Sequence, residues 1–305
     1  MITERLDVHI SDGRRVAVWR STSGDPGGPV VVISAGYART MRSAGAIALC
    51  LVRNGCTVYR FDSVNHLGLS DGEIVDFNLE DLDESFRAVI DLARRTERVH
   101  EVRLVVLSIA AAAAYKIAVE DPGIDRIVGL SGVVNGVRTL KVACGEDYSV
   151  YTQAELPPLV HVDGHDVEPT RLWQAMQPGG GLTPELITAR LAEISVPVVN
   201  CVATGDTWVD IDDCRQAFTA TRDNAPRILV ELPFNGHDIA KNPAAVKLVL
   251  EELTRYIAGP TPGHDGPPEF EVTFPGFEEL LQTRTGERDR AVAEQAGPEM
   301  AGRAG

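Results

Sequence analysis

The chain has 305 residues and carries 29 Lys and Arg against 44 Asp and Glu, a net charge of −15. That balance repels nucleic-acid phosphates and anionic lipid, so neither is expected as a partner. With 44% hydrophobic and 24% charged residues, the composition is that of a globular protein long enough for one large domain, or for a domain with an inserted lid.

The opening MITERLDVHISDGRR has no apolar stretch of the secretory kind, and no run reaches the roughly 18 apolar residues of a membrane helix. The expectation is a cytoplasmic protein with no membrane partner. ERLDVHI and RRVAVWR alternate around Ser11-Asp12-Gly13, which predicts a β-hairpin. PVVVIS (29–34) has the continuous apolar character of a strand buried on both faces. An amphipathic helix follows over about 41–53, then a strand at CTVYRFD (56–62) and a loop, SVNHLGLSDGEI. Leu79 to Arg95 repeats apolar residues at helical spacing behind an Asn78 cap. VRLVVL (102–107) reads as a strand, IAAAAAYKIAVE as a helix and DRIVGLSG (125–132) as a strand. Residues 134–194 break the rhythm. The segment is polar and carries Pro157-Pro158, Pro169 and Gly179-Gly180-Gly181, with a capped helix start at Thr183-Pro184-Glu185. It reads as a lid inserted into a core of residues 1–133 and 195–258. VPVVNCVA (196–203), DIDDCRQAFTAT, RILVELP (227–233) and PAAVKLVLEELTRYIA resume strand, helix, strand and helix. The extension 259–305 turns Pro/Gly-rich, with a short strand expected at FEVTF, an exposed helix at FEELLQTRTGERDRAVAEQ and a frayed GPEMAGRAG. Strands alternating with helices after an antiparallel start predict an α/β fold, a mostly parallel central sheet with helices on both faces. The five cysteines (50, 56, 144, 201 and 214) are scattered, without zinc spacing, so reduced thiols and no metal or cofactor are expected.

In such a sheet, ligands bind beyond the carboxyl ends of the strands. Ser108 follows VRLVVL, Asp206 follows VPVVNCVATG and His237 follows RILVELPFNG. The chain order Ser…Asp…His is that of α/β-hydrolases. A serine hydroxyl needs a base, which His237 would supply, and the base needs an anion to hold its tautomer, which Asp206 would supply. Taken singly, each has a plainer reading: a helix cap, a turn former and a loop histidine. The frame Val106-Leu107-Ser108-Ile109-Ala110 also lacks both glycines of the G-x-S-x-G elbow, although small residues are wanted there. An oxyanion hole would take its N–H groups from Ile109 and from Tyr37 or Ala38, in the loop after PVVVIS where Gly36 lets the backbone turn.

Several stretches together resemble the bacterial luminescence acyl-transferases, which are myristoyl-acyl-carrier-protein thioesterases. They are ISAGYARTM (33–41), YRFDSVNHLGLSDGEI (59–74), VVNGVRTL (133–140), GDTWV (205–209) and NGHD (235–238). The likeness runs in order from about residue 5 to GPEMA in the tail, lid included. That family's serine lies in an A-x-S-x-S frame. Ser108, seven residues before Tyr115, falls on it; Asp206 falls on the aspartate before Trp-Val, and His237 on the histidine before Asp. Val106 for alanine and Ala110 for serine are departures. The resemblance implies an α/β-hydrolase fold, an acyl-serine and cleavage of a fatty acyl thioester, with acyl carrier protein as a partner. His66 matches a histidine-containing loop of the family and reads either as pocket-lining or as a satisfied loop residue. Arg39 and Arg42 would meet a carrier's phosphopantetheine or acidic helix, or stand as solvated surface arginines. Tyr148, Tyr151, Trp173 and Trp208 would form an aromatic pocket, or pack the core.

Two other readings stay open. The same fold supports cofactor-independent oxygenation or C–C bond cleavage through the His–Asp pair. An arginine-rich, lysine-poor chain suits an actinobacterial enzyme of lipid or aromatic polyketide metabolism. A non-enzymatic ligand-binding protein is the third.

Overall fold

The computed structural model describes residues 1–24, 27–219, 225–237, 242–263 and 267–295. Its centre is an eight-stranded sheet. Strand β1 (Ile2–His9) pairs antiparallel with β2 (Arg15–Thr22), and β2 pairs antiparallel with β4 (Thr57–Phe61). From β4 the sheet runs parallel through β3 (Val30–Ser34), β5 (Val102–Leu107), β6 (Ile124–Leu130), β9 (Val198–Gly205) and β10 (Arg227–Asn235).

The central strands are apolar throughout because both faces are covered. Val30 and Val32 of β3, with Leu104 and Val106 of β5, enter one core, whereas Val31, Ile33 and Val105 enter the other. The first core is closed by α2 (Leu79–Glu97), α3 (Ala110–Glu120), α6 (Pro184–Glu193) and α7 (Ile211–Phe218). The second is closed by α1 (Gly45–Arg53), entered through the short 3-10 turn Met41–Ala44, and by α8 (Pro243–Ala258). The expected Asn78 cap is present, its side chain accepting the Asp81 N–H at 2.8 Å. The helix behind it buries Leu82, Phe86, Val89 and Ile90. Each such side chain contributes about 1.5–3 kcal/mol of hydrophobic stabilisation.

The segment between β6 and β9 holds α4 (Gly136–Cys144), a small hairpin of β7 (Val160–Val162) and β8 (His165–Val167), α5 (Thr170–Met176) and α6. Its Leu140, Val162, Val167, Leu172, Leu182 and Ile187 are buried in the first core. The hairpin turns at Asp163-Gly164, both at positive φ (44° and 86°), as a two-residue type I′ turn requires.

The extension differs from expectation. FEVTF forms no strand. Thr273 is instead held by the side chain of Asn54, which accepts its N–H and donates to its carbonyl, both at 2.9 Å. Val272 and Phe274 rest against the second core, so burial is gained without a ladder. Helix α9 (Phe277–Gln295) forms as expected and is tied down along its length, Glu279 accepting from Arg53 at 2.6 Å and Ala291 buried beside Trp19. Glu287 accepts from the fully buried Arg60 at 2.7 Å, and the guanidinium groups of Arg60 and Arg290 each lie over the Trp19 ring, at 5.6 and 5.5 Å. GPEMA and Asp238 of NGHD lie outside the described residues. Among those described, no helix is long and apolar enough to cross a membrane.

Candidate active site

Ser108 opens the two-residue turn, Ser108-Ile109, between β5 and α3, with φ 54°. A non-glycine residue held there costs on the order of 1–3 kcal/mol, which the surroundings must hold in place. They do so on both sides. The Ser108 N–H donates to the Leu130 carbonyl at 3.0 Å, and its carbonyl accepts from Ala111 and Val133, both at 3.1 Å. The missing elbow glycines are explained by the neighbours. Val106 pairs with Ser34 on one side and Gly129 on the other, so small residues make room for its isopropyl group. Gly36 passes directly over the turn. A Cβ there would meet Ser108 Cβ at 3.1 Å and the Leu107 carbonyl oxygen at 3.2 Å. The space that an elbow glycine would leave is supplied by the crossing loop.

The ends of β9 and β10 are pinned together. The Gly236 N–H donates to the Gly205 carbonyl at 2.8 Å, and Gly236 turns the chain at φ 88°. This brings three of the expected residues into one chain of hydrogen bonds. His237 Nε2 lies 3.0 Å from Ser108 Oγ. His237 Nδ1 lies 3.0 and 3.1 Å from the two carboxylate oxygens of Asp206. The Asp206 carboxylate is wholly buried and also accepts the N–H groups of Trp208 (2.9 Å) and Val209 (3.0 Å). Burial alone pushes its pKa up. The hydrogen bond and charge of His237, with the two N–H groups, outweigh burial and hold the carboxyl below its ordinary value. Asp206 is therefore an anion that favours the Nδ1–H tautomer, with the Nε2 lone pair on the side of Ser108 Oγ. Trp208 stacks on the imidazole, centroids 4.9 Å apart at 18°, and fixes the plane of the ring.

The loop after β3 divides its roles. Ala38, at φ 55°, donates its N–H to His66 Nε2 at 3.1 Å. Ala38 is thus corrected as an oxyanion donor, because its N–H is turned away and engaged. The Tyr37 and Ile109 N–H groups have no protein partner among the described residues. His66 does not line the cavity beside Ser108. It stands behind Tyr37, in edge contact with that ring and tilted against Phe77. Burial lowers its pKa to about 4, so it is a neutral acceptor.

A cavity of about 190 Å³ opens on Ser108 and His237, with Tyr37, Arg39, Asp163 and Trp208 in its wall. Arg39 meets Asp163 of the β7–β8 turn at 3.3 Å, and Thr139 of α4 donates to the Trp208 carbonyl at 3.0 Å, so the insertion touches the mouth from two sides. Tyr148, Tyr151 and Trp173 are not brought there. The two tyrosines stack edge to face, and the Trp173 indole donates to the Tyr151 carbonyl at 2.9 Å. They belong to the packing of the insertion. Sequence reasoning missed Ser131, at the end of β6. It has φ 49°, lines the same cavity, and its buried hydroxyl has no partner among the described residues. Its position at a strand end is the signal that was available. Among the described residues no group of three His, Cys, Asp or Glu could hold a metal ion.

Residues 4–281 match the acyl transferase family. An acyl transferase of Photobacterium phosphoreum is 27% identical over 251 residues, 81% of each chain. One of Aliivibrio fischeri is 26% identical over 284 residues, 92% of this chain and 91% of that one. One of Vibrio campbellii is 26% identical over 298 residues, 96% of both. Among solved structures, the esterase Est1E of Butyrivibrio proteoclasticus superposes with a TM-score of 0.64 at 15% identity, over 83% of this chain and 96% of that one. The esterase domain of a Rhodothermus marinus protein gives 0.62 at 17% identity, over 84% and 98%. These neighbours show the α/β-hydrolase fold. A match running almost end to end, with relatives from luminescent bacteria along the same length, bears out the resemblance read from the motifs: the chain belongs to the acyl transferase family and is an enzyme of the hydrolase and acyltransferase kind.

Proposed function

We propose that the protein transfers or hydrolyses an acyl group through an acyl-serine intermediate, with an ester or thioester as donor. Ser108 Oγ attacks the carbonyl carbon while His237 Nε2 takes its proton. The carbonyl oxygen, now negative, is held by the N–H groups of Ile109 and Tyr37, a stabilisation worth about 10²–10³ in rate per donor. Imidazolium, steadied by Asp206, returns the proton to the leaving thiolate or alkoxide. Water or another acceptor, deprotonated by His237, then releases the acyl group. The observation that carries this reading is the continuous Asp206–His237–Ser108 hydrogen-bonded chain at a strained turn, in a member of the acyl transferase family. The contact of His237 Nε2 with Ser108 Oγ favours it over cofactor-independent oxygenation, which has no use for a serine on the base. We read the 134–194 segment as a lid whose hairpin tip reaches the mouth. An acyl carrier protein is the donor that the family likeness suggests, with Arg39 as its first cationic contact.

The test is intact-mass spectrometry after exposure to a fluorophosphonate and, separately, to acyl thioesters. The wild type is expected to gain one adduct and the Ser108→Ala variant none. A folded wild-type protein that takes neither reagent refutes the reading.

A further inference from the structure

We propose that the acyl half of the substrate is compact, about six to eight carbons, and seats between α1 and α8 instead of under the 134–194 insertion. The proposal rests on the acyl-serine reading above. The cavity at Ser108 is continued away from the catalytic groups by Ala46 and Ile47 of α1 and by Val246, Val249 and Leu250 of α8. The last three recur at i, i+3 and i+4, one stripe of one helix face. This wall is apolar, as an alkyl or compact aryl group requires. Farther along, the same two helices close on each other. Ala48 and Leu51 of α1 are buried in one cluster with Leu253, Tyr256 and Ile257 of α8, so the cavity has a floor.

Size follows from volume. An apolar cavity of about 150 Å³ takes one benzene ring, six carbons. A cavity of about 190 Å³ is about a quarter larger than that and so holds about six to eight carbons in all. A myristoyl chain exceeds that and would have to leave the cavity. On the side of the insertion the wall carries the Arg39–Asp163 pair, against which methylenes gain nothing and desolvate charge. The insertion does carry an open groove of about 1280 Å³, lined by Val137, Val142, Met176 and Leu186 among others, but it shares no lining residue with the Ser108 cavity.

The experiment measures rates of acyl-enzyme formation and turnover across acyl thioesters from acetyl to palmitoyl. It uses the wild type, Ala46→Leu, Val249→Ala, and Val142→Trp, which narrows the insertion groove. The optimum is expected at hexanoyl to octanoyl, with myristoyl slower by roughly tenfold or more, since a methylene misplaced in an apolar pocket is worth about tenfold or above. Ala46→Leu should shift the optimum to shorter chains and Val249→Ala to longer ones, with Val142→Trp unchanged. A myristoyl optimum, or a profile that Val142→Trp moves and Ala46→Leu does not, overturns the proposal. Fluorophosphonate labelling separates the two levels. Labelling of Ser108 with a long-chain optimum, or with no thioester accepted, overturns only the compact-acyl proposal. Absence of labelling removes the acyl-serine reading with it.

Discussion

His66 offers a test of how the loop after β3, the proposed oxyanion loop, is held, because its contact changes sign with a proton. Neutral His66 accepts the Ala38 N–H through Nε2 at 3.1 Å; imidazolium has no lone pair to offer. Burial sets its pKa to about 4, against an ordinary value of 6.5. Between those values the unfolded chain binds a proton that the folded chain refuses, so stability rises with pH and is lost on acidification. At about 1.4 kcal/mol per pH unit, the loss from pH 6.5 to pH 4 is about 3 kcal/mol. Asp62 works in the opposite direction. Burial raises its carboxyl to about 6 from 3.8, so in that window the folded chain binds the extra proton and gains stability as pH falls. The two nearly cancel in the wild-type curve. The informative quantity is the difference from His66→Gln, which keeps an acceptor without a titration. Urea unfolding from pH 7 to pH 4 should show the wild type losing about 3 kcal/mol relative to His66→Gln. Fluorophosphonate labelling of Ser108 should fall over the same range in the wild type more than in the variant. A difference that stays flat with pH would refute the neutral-acceptor assignment.

Asp206→Asn should lower the acylation rate by about 10³–10⁴, because an amide cannot hold the Nδ1–H tautomer, while thermal unfolding changes little. Stopped-flow acylation and calorimetry check the two halves. Glu287→Gln leaves the Arg60 guanidinium, fully buried, without its counter-charge. Urea titration should show a loss of about 3 kcal/mol, and an unchanged midpoint would mean that α9 does not dock in solution. Ser131→Ala removes a buried hydroxyl that lacks a partner, so stability should stay level or rise by up to about 1 kcal/mol; a clear loss would show that the hydroxyl is satisfied in solution.

Much of the scaffold was legible because continuous apolar runs and 3.6-residue periodicity report burial directly. The strands at 30–34, 102–107 and 198–205 and the helix behind Asn78 fall where those patterns put them. The meeting of Ser108, Asp206 and His237 was legible for a different reason. Parallel strands present their carboxyl ends on one edge, so chemistry-bearing residues just past three such ends become neighbours. What failed was whatever depends on a partner far away in sequence. FEVTF has the alternation of a strand, but Asn54 rather than a strand edge meets it. The aromatics at 148, 151 and 173 are close in sequence and pack on one another, and proximity in sequence carried no information about the cavity. His66 matched a motif, yet only the structure shows its lone pair spent on Ala38.

The elbow carries the main physical lesson. A glycine two residues before or after a strained serine relieves crowding only if the crowding comes from that side. Here β5 is flanked by Ser34 and Gly129, and the loop that supplies the Tyr37 N–H crosses at Gly36, 3.1 Å from a would-be Cβ to Ser108 Cβ. The requirement for small side chains is met by three residues on neighbouring segments, so Val106 and Ala110 are tolerated without moving Ser108. It follows that Gly36, not the motif frame, is the glycine this site depends on. Gly36→Ala must displace either the turn or the Tyr37 loop by a few tenths of an ångström, and the oxyanion donors move with it. Acylation should fall by about 10²-fold, while fluorophosphonate labelling at saturating reagent still reaches one adduct. If Gly36→Ala acylates at the wild-type rate, the crossing loop is not what makes room for Ser108.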